Sequence, residues 1–166
     1  MKEKAIYFAK PDFYQQIKTA GGQWNDSKER PIVCLLKSSE FDFLYWAIPM
    51  GNYDHRDDKA KARIQSYIQK DKKDIKSCFY HIGKTNVNSI FFISDVVPIT
   101  DEYIEREYKI NNSTQYIIKN DHLIKELERK LCRILSYESS NPNFFRQHIT
   151  DIKNILTKNH NELLKV

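Results

Sequence analysis

The sequence predicts one α+β domain, in which a β-rich and antiparallel front half carries inserted helices and further helices are appended behind it. Three observations lead there. Short apolar runs of strand length, separated by turn residues, recur up to residue 99. A charged segment with a single narrow apolar stripe interrupts them. From residue 117 onward the apolar positions step in threes and fours, the period of an amphipathic helix. A chain of 166 residues suits a single hydrophobic core, and no repeat, low-complexity tract or linker divides it, so residues 1–166 read as one domain.

Taken in order, AIYFA (5–9) is a short β-prone run stopped by Pro11. DFYQQIKTAG follows with helical spacing, Asp12 as its N-cap and Gly21 as its stop. GQWNDSKER is polar and turn-like. PIVCLLKS (31–38) and FDFLYWAIP (41–49) are buried-strand runs joined across SSE, the second ended by Pro49. DDKAKARIQSYIQKDKKD is a charged helix whose Ile64, Tyr67 and Ile68 form one stripe. SCFYHIG (77–83) and SIFFISDVVPI (89–99) read as two strands around the GKTNVN turn, and DEYIEREY as a short helix capped by Thr100 or Asp101. Ile124, Leu127, Leu131, Ile134 and Leu135 mark a long helix, SSNPN breaks it, and FFRQHITDIKNIL is helical to the end.

Composition narrows the function. Four Gly and five Pro exclude a loop-rich or collagen-like chain. A net charge of +5 and a pI near 9.0 point to a polyanionic partner, most simply nucleic acid. Ten Tyr and nine Phe exceed what a core requires, which leaves rings for base stacking, although strands also favour them. Cys34, Cys78 and Cys132 are far apart, lack zinc spacing and sit among apolar residues, so free buried thiols in a reducing compartment are expected. No apolar run approaches the ~20 residues that span a bilayer. The charged N-terminal stretch MKEKAIYFAK does not read as a signal peptide, and a cytoplasmic location is expected.

Two constellations can carry chemistry. PMGNYDHRDDKAKAR (49–63) sets a turn between a hydrophobic strand and a basic helix, so that Asn52, Tyr53, His55 and Arg56 project from a strand end. The same residues also fit a solvated turn with a capping Asp. Residues 56–76 hold eight Lys/Arg against four Asp/Glu, and Lys59, Lys61 and Arg63 on that helix are candidates for phosphate contact. In CFYHIGKTN (78–86), Phe79 and His81 share one strand face, and Lys84 stands in the following turn beside Gly83. Cutting RNA needs a base for the 2′-OH proton, a cation for the charged phosphorane and an acid for the leaving 5′-oxygen; a His with a nearby Lys suits this. A core histidine is the plain alternative for His81. No carboxylate pair has metal-site spacing, and no phosphate loop or GxSxG motif exists.

Several segments together resemble the ToxN/AbiQ/CptN toxins of type III toxin–antitoxin systems, and most closely their CptN branch. They are KAIYFAK, then ERPIVCLL with FLYWAIPMGNYDHR, then FYHIGK, DVVPIT and KELERKLCRILSYESSNPNFFRQHITDIKNIL. The resemblance spans nearly the whole chain in order. It implies a compact MazF-like twisted antiparallel sheet with inserted and C-terminal helices. It implies a metal-independent endoribonuclease, without cofactor, that leaves a 2′,3′-cyclic phosphate. Its partners would be a repetitive pseudoknot RNA antitoxin, processed and bound in a protein–RNA assembly, and cellular or phage RNA, with a role in abortive infection. Where many relatives carry a Thr-Ser pair and then Lys, this chain has Gly51, Asn52 and Tyr53, then His55 and Arg56. Catalysis is therefore assigned to His55, His81 and Lys84, with Asn52 and Tyr53 positioning. Arg30, preceding a core strand as a basic residue does in relatives, joins Arg56 in RNA contact. The competing reading is a noncatalytic RNA-binding protein using the same basic turn and aromatics; it needs charge at His81 and Lys84 but no titrating imidazole.

Overall fold

The computed structural model describes residues 1–24, 29–111 and 113–166; the centre of the GQWNDSKER turn lies outside the described residues. In chain order the elements are β1 (Ala5–Ala9), α1 (Pro11–Thr19), β2 (Ile32–Lys37), β3 (Tyr45–Asn52), α2 (Asp58–Ile68), β4 (Tyr80–Lys84), β5 (Asn88–Phe92) and β6 (Val97–Ile99). They continue with β7 (Ile104–Glu107), β8 (Lys109–Ile110), β9 (Thr114–Gln115), α3 (Asp121–Ser140) and α4 (Ile149–Leu163). The α+β class is as the sequence predicts. The main sheet runs β4-β5-β3-β2-β1-β7, and each pairing within it is antiparallel.

β3 organises this sheet. One edge pairs with β2, while the other pairs first with β6, through Tyr45–Ala47, and then with β5, through Met50–Asn52. The apolar run 89–99 is thus not one strand. A 3-10 turn at Ile93–Asp95 divides it into β5 and β6, both lying along β3. Pro49, expected to end its strand, sits inside β3 at this change of neighbour. The Met50 N–H bonds to the Pro31 carbonyl on the β2 side, so position 49 turns its nitrogen to the opposite edge, where no ladder bond is lost.

Alternation along the strands builds two cores. Ile6, Val33, Leu35, Ile48, Met50 and Phe91 meet Leu127, Leu131 and Ile134 of α3. Tyr7, Ile32, Cys34, Ala47, Val97 and Ile99 meet Phe13 and Ile17 of α1 and Ile152 and Leu156 of α4. A smaller cluster seats Ile64 of α2 against Ile90 and Phe92.

Local expectations differ at several places. α1 starts at Pro11, with Lys10 at the cap, because proline suits a first helical position; Gly21, at φ 90°, follows its end. DEYIEREY forms one 3-10 turn and then β7, because the free edge of β1 offers hydrogen bonds that a short helix cannot match. Phe79 ends a 3-10 turn rather than lying in β4, and Lys84 is the last residue of β4 rather than part of the turn. FFRQH is not helical; Asn143 and His148 take positive φ, and α4 begins at Ile149. Cys34 and Cys78 are buried as expected, but Cys132 is exposed, since it follows Leu131 by about 100° around α3. No helix among the described residues is long and apolar enough to cross a membrane.

These placements separate two substitutions. Leu127→Ala, at a fully buried position, is expected to lower unfolding free energy by about 2–5 kcal/mol in urea titration. Pro49→Ala should cost about 1 kcal/mol or less, because no ladder bond depends on that nitrogen.

Candidate functional site

A cleft of about 430 Å³ opens at the end of the sheet where β2 and β5 begin and β3 ends. Its walls include Arg30, Gly51, Asn52, His55 and Arg56, with Glu29, Asn86 and Tyr108 opposite. The size is ordinary for a small-molecule or single-nucleotide site.

Arg56 leaves the 3-10 turn Tyr53–His55 and folds back over β3. A Cβ at position 51 would stand 2.6 Å from its Nη2, so the missing side chain of Gly51 is the space that the guanidinium uses. Arg30 and Arg56 both lie on the ring of Phe92, at 5.4 and 5.2 Å from its centroid. Among the described residues neither has a carboxylate partner, and the buried Nε of Arg56 has no hydrogen-bond partner. Burial first, and the like charge of Arg30 second, pull the pKa of Arg56 below its ordinary value. Both effects favour an incoming anion.

His55 is exposed at the mouth of the cleft, its Nε2 3.4 Å from Asn52 Nδ2. The Asn52 Oδ1 accepts the Asp54 N–H, which fixes the amide so that its NH₂ faces the imidazole. With the NH₂ so placed, Nε2 faces a donor. Asp54 is held in turn by Asn88 Nδ2 at 3.3 Å, tying the turn to β5.

Other sequence candidates stand outside this cleft. His81 pairs with Phe91 in the β4–β5 ladder and faces α3. Its pKa is held down to about 4 by burial and then by Lys130, whose Nζ donates to the Tyr80 carbonyl. His81 does not line the cleft, so the structure does not bring it together with His55. Lys84 is exposed on β4 opposite Asn88 and does not line the cleft. Tyr53 turns toward α2, accepting from Gln65 Nε2 and lying beneath Lys61 Nζ at 5.3 Å. Lys59 and Arg63 are exposed on α2, whose first turn is capped by Asp57.

Sequence reasoning missed Glu29, Asn86 and Tyr108. Asn86 Nδ2 donates to the Tyr108 hydroxyl at 3.2 Å, a link across 22 residues that closes one wall. Glu29 is bound to Arg106 Nη2 at 2.6 Å, and Arg106 stacks on Phe8. Glu29 adjoins Arg30 in the sequence, but only the β2–β3 register brings both beside Asn52. Among the described residues no group of three or more His, Cys, Asp or Glu side chains is placed to hold a metal ion. Compared with known proteins, the chain matches no protein-family model and no curated protein.

The burial of His81 has a pH consequence. Its folded pKa of about 4 lies below the ordinary 6.5 of a histidine, so between those values the unfolded chain binds the proton and the folded chain does not. Its contribution is therefore a loss of stability as pH falls through that window, complete below the folded pKa. Replacement by Gln should flatten this part of the stability–pH curve measured by denaturant titration. An unchanged curve would place His81 in contact with solvent.

Gly51→Ala tests the other packing feature. The flexible Arg56 tip can move, so stability should change by about 1 kcal/mol or less, while the guanidinium leaves Phe92. Thermal stability close to that of the wild type is the expected result.

Proposed function

We propose that the chain is a cytoplasmic, metal-independent endoribonuclease of the kind its resemblance to the ToxN/AbiQ/CptN toxins implies. The observation that carries this reading is the pair of uncompensated guanidiniums, Arg30 and Arg56, on one ring beside an exposed histidine in a nucleotide-sized cleft. Such a pair in a purely structural role would leave two like charges unrelieved. A phosphodiester relieves them.

The reaction needs two proton transfers and one source of positive charge. A base takes the 2′-OH proton, the 2′-oxygen attacks phosphorus, and the 5′-oxygen leaves with a proton from an acid. The products are a 2′,3′-cyclic phosphate and a 5′-hydroxyl. His55 and Glu29 are the proton-carrying groups of the cleft; the carboxylate suits the base and the imidazolium the acid. Arg30 and Arg56 hold the phosphate and meet the charge that grows on the phosphorane, where donors already in place are most effective. Asn52 orients His55. Lys59, Lys61 and Arg63 add phosphate contacts that strengthen RNA binding in a salt-dependent way. By the same resemblance, a repetitive pseudoknot RNA would occupy this cleft as antitoxin and processed product, and release of the toxin would arrest growth in abortive infection.

Single-turnover cleavage of single-stranded RNA at saturating protein is the test. His55→Ala and Arg56→Ala should each lower the rate on the order of 10²-fold or more, and excess EDTA should leave it unchanged. His81→Gln should cut normally. Loss of activity in folded His81→Gln, with His55→Ala fully active, would move the centre beneath α3. A wild-type chain that binds RNA tightly and never cuts it would make this a binding protein.

A further inference from the structure

A row of aromatic rings, partly buried, runs from beneath the two arginines of the cleft, between α2 and the α3–α4 turn. It starts at Phe92, beneath Arg30 and Arg56, and passes to Tyr80 at 6.0 Å between centroids. Tyr80 meets Tyr67 at 5.6 Å, and Tyr67 stacks on Phe79 at 5.6 Å with 14° between planes. Phe79 meets Phe145 at 5.8 Å, and Phe145 meets Phe144 at 5.2 Å. Phe92 and Phe145 are buried, and Tyr80, Tyr67 and Phe79 are half-buried. Phe144 is 53% exposed, the one large apolar side chain left in solvent among the described residues before the last four positions of the chain.

Cations follow this row. Arg63 and Arg146 both act on the Tyr80 hydroxyl through their charge. Lys70 Nζ stands 5.9 Å from the centroid of the Tyr67 ring. Arg63 and Lys70 have no ion-pair partner among the described residues, and Asp95, beside Tyr80, is buried and bound by Arg146. Rings bordered by unpaired cations suit a ligand with flat apolar faces joined by negative charge.

We infer that this strip is a track for single-stranded RNA flanking the scissile phosphate, a proposal that rests on the ribonuclease reading of the cleft. Two features select a single strand. The row begins beneath the two arginines, so one polyanion held by them can reach the half-buried rings of Tyr80 and Tyr67. Its recognition elements are ring faces and isolated cations, which engage unstacked bases; a duplex keeps its base faces covered. A protein partner burying Phe144 would need acidic residues of its own to meet Lys70 and Arg63.

The experiment compares binding of two 2′-O-methyl oligoribonucleotides, which lack the attacking hydroxyl, to the full chain. One is a tetranucleotide that fits the cleft, the other a dodecanucleotide that also reaches the track. The longer strand should bind at least tenfold tighter, since each stacked base contributes on the order of a tenfold gain. Phe144→Ala, at an exposed position, and Tyr67→Leu, which keeps apolar contact, should each remove about tenfold from the longer strand and nothing from the shorter. Lys70→Gln should reduce the salt slope of the longer strand by about 0.7. If the longer strand gains nothing, binds equally well as a duplex, or is indifferent to Phe144→Ala and Lys70→Gln, the track is overturned while the cleft stands. If neither length binds, the ribonuclease reading falls with it.

Discussion

β3 is paired along one edge by β2 and along the other by two strands in succession, and this shared edge positions the rest of the molecule. Because β6 and β5 divide its length, the 3-10 turn between them falls beside Pro49, and β5 extends past the core to the end of β3. There β5 supplies Ser89 and Asn88 to the turn that carries His55, and Phe92 to the two arginines. The same register brings the residues before β2 alongside, so Glu29 and Arg30 reach a site formed mostly by residues 50–56. A shift of one residue in the β3–β5 pairing would reverse the faces of β5 and take Phe92 away from Arg56.

Phe92 resolves an electrostatic conflict. Two guanidiniums at a sheet end would repel, and burying part of Arg56 adds a desolvation cost. The ring offers both a negative π face, which lessens repulsion without neutralising charge. A carboxylate in its place would form two ion pairs and leave no free positive field for a ligand. The arrangement keeps the cations ordered yet unsatisfied, and an anion entering the cleft need not displace a protein group. Gly51 serves the same end by leaving open the surface over which Arg56 lies.

Much of the sheet was legible in the sequence because apolar runs of five to eight residues mark strands whatever their partners. PIVCLLKS, the amphipathic stripe of α3 and the Asp-capped α2 all emerge close to their expected places. What was not legible depended on pairing across long separations. Pro49 reads as a stop unless the strand beside it is known to change there. DEYIEREY carries helical charge spacing, yet β1 takes its second half as an edge strand. In the site, Asn52, His55 and Arg56 come from one strand end, and Arg30, brought in by the resemblance alone, lines the same cleft. His81 and Lys84 were chosen on proximity in sequence, which cannot tell whether a strand residue faces a helix or an opening. Glu29, Asn86 and Tyr108 carry no local signal at all; Asn86 and Tyr108 meet only because β7 returns beside β1.

The contrast between His55 and His81 shows how one residue type is divided between two tasks by its surroundings. His81 faces Lys130 and Arg129 with Glu126 at the margin, and burial outweighs the single carboxylate, so it remains neutral through the ordinary pH range. Its neighbour Lys130 spends its buried charge on the Tyr80 carbonyl, which fixes α3 to β4 close to where Gly83 admits Leu123. That cluster ties helix to sheet. His55 meets the Asn52 amide, contacts solvent, and is carried on a three-residue turn anchored by Asn52 and Asn88. Proton transfer requires a group that substrate can reach and whose orientation is held by neutral contacts rather than by burial. Of the two histidines only His55 lines the cleft, and it shares that cleft with Arg30 and Arg56, whose positive charge a ligand with a negative group would offset.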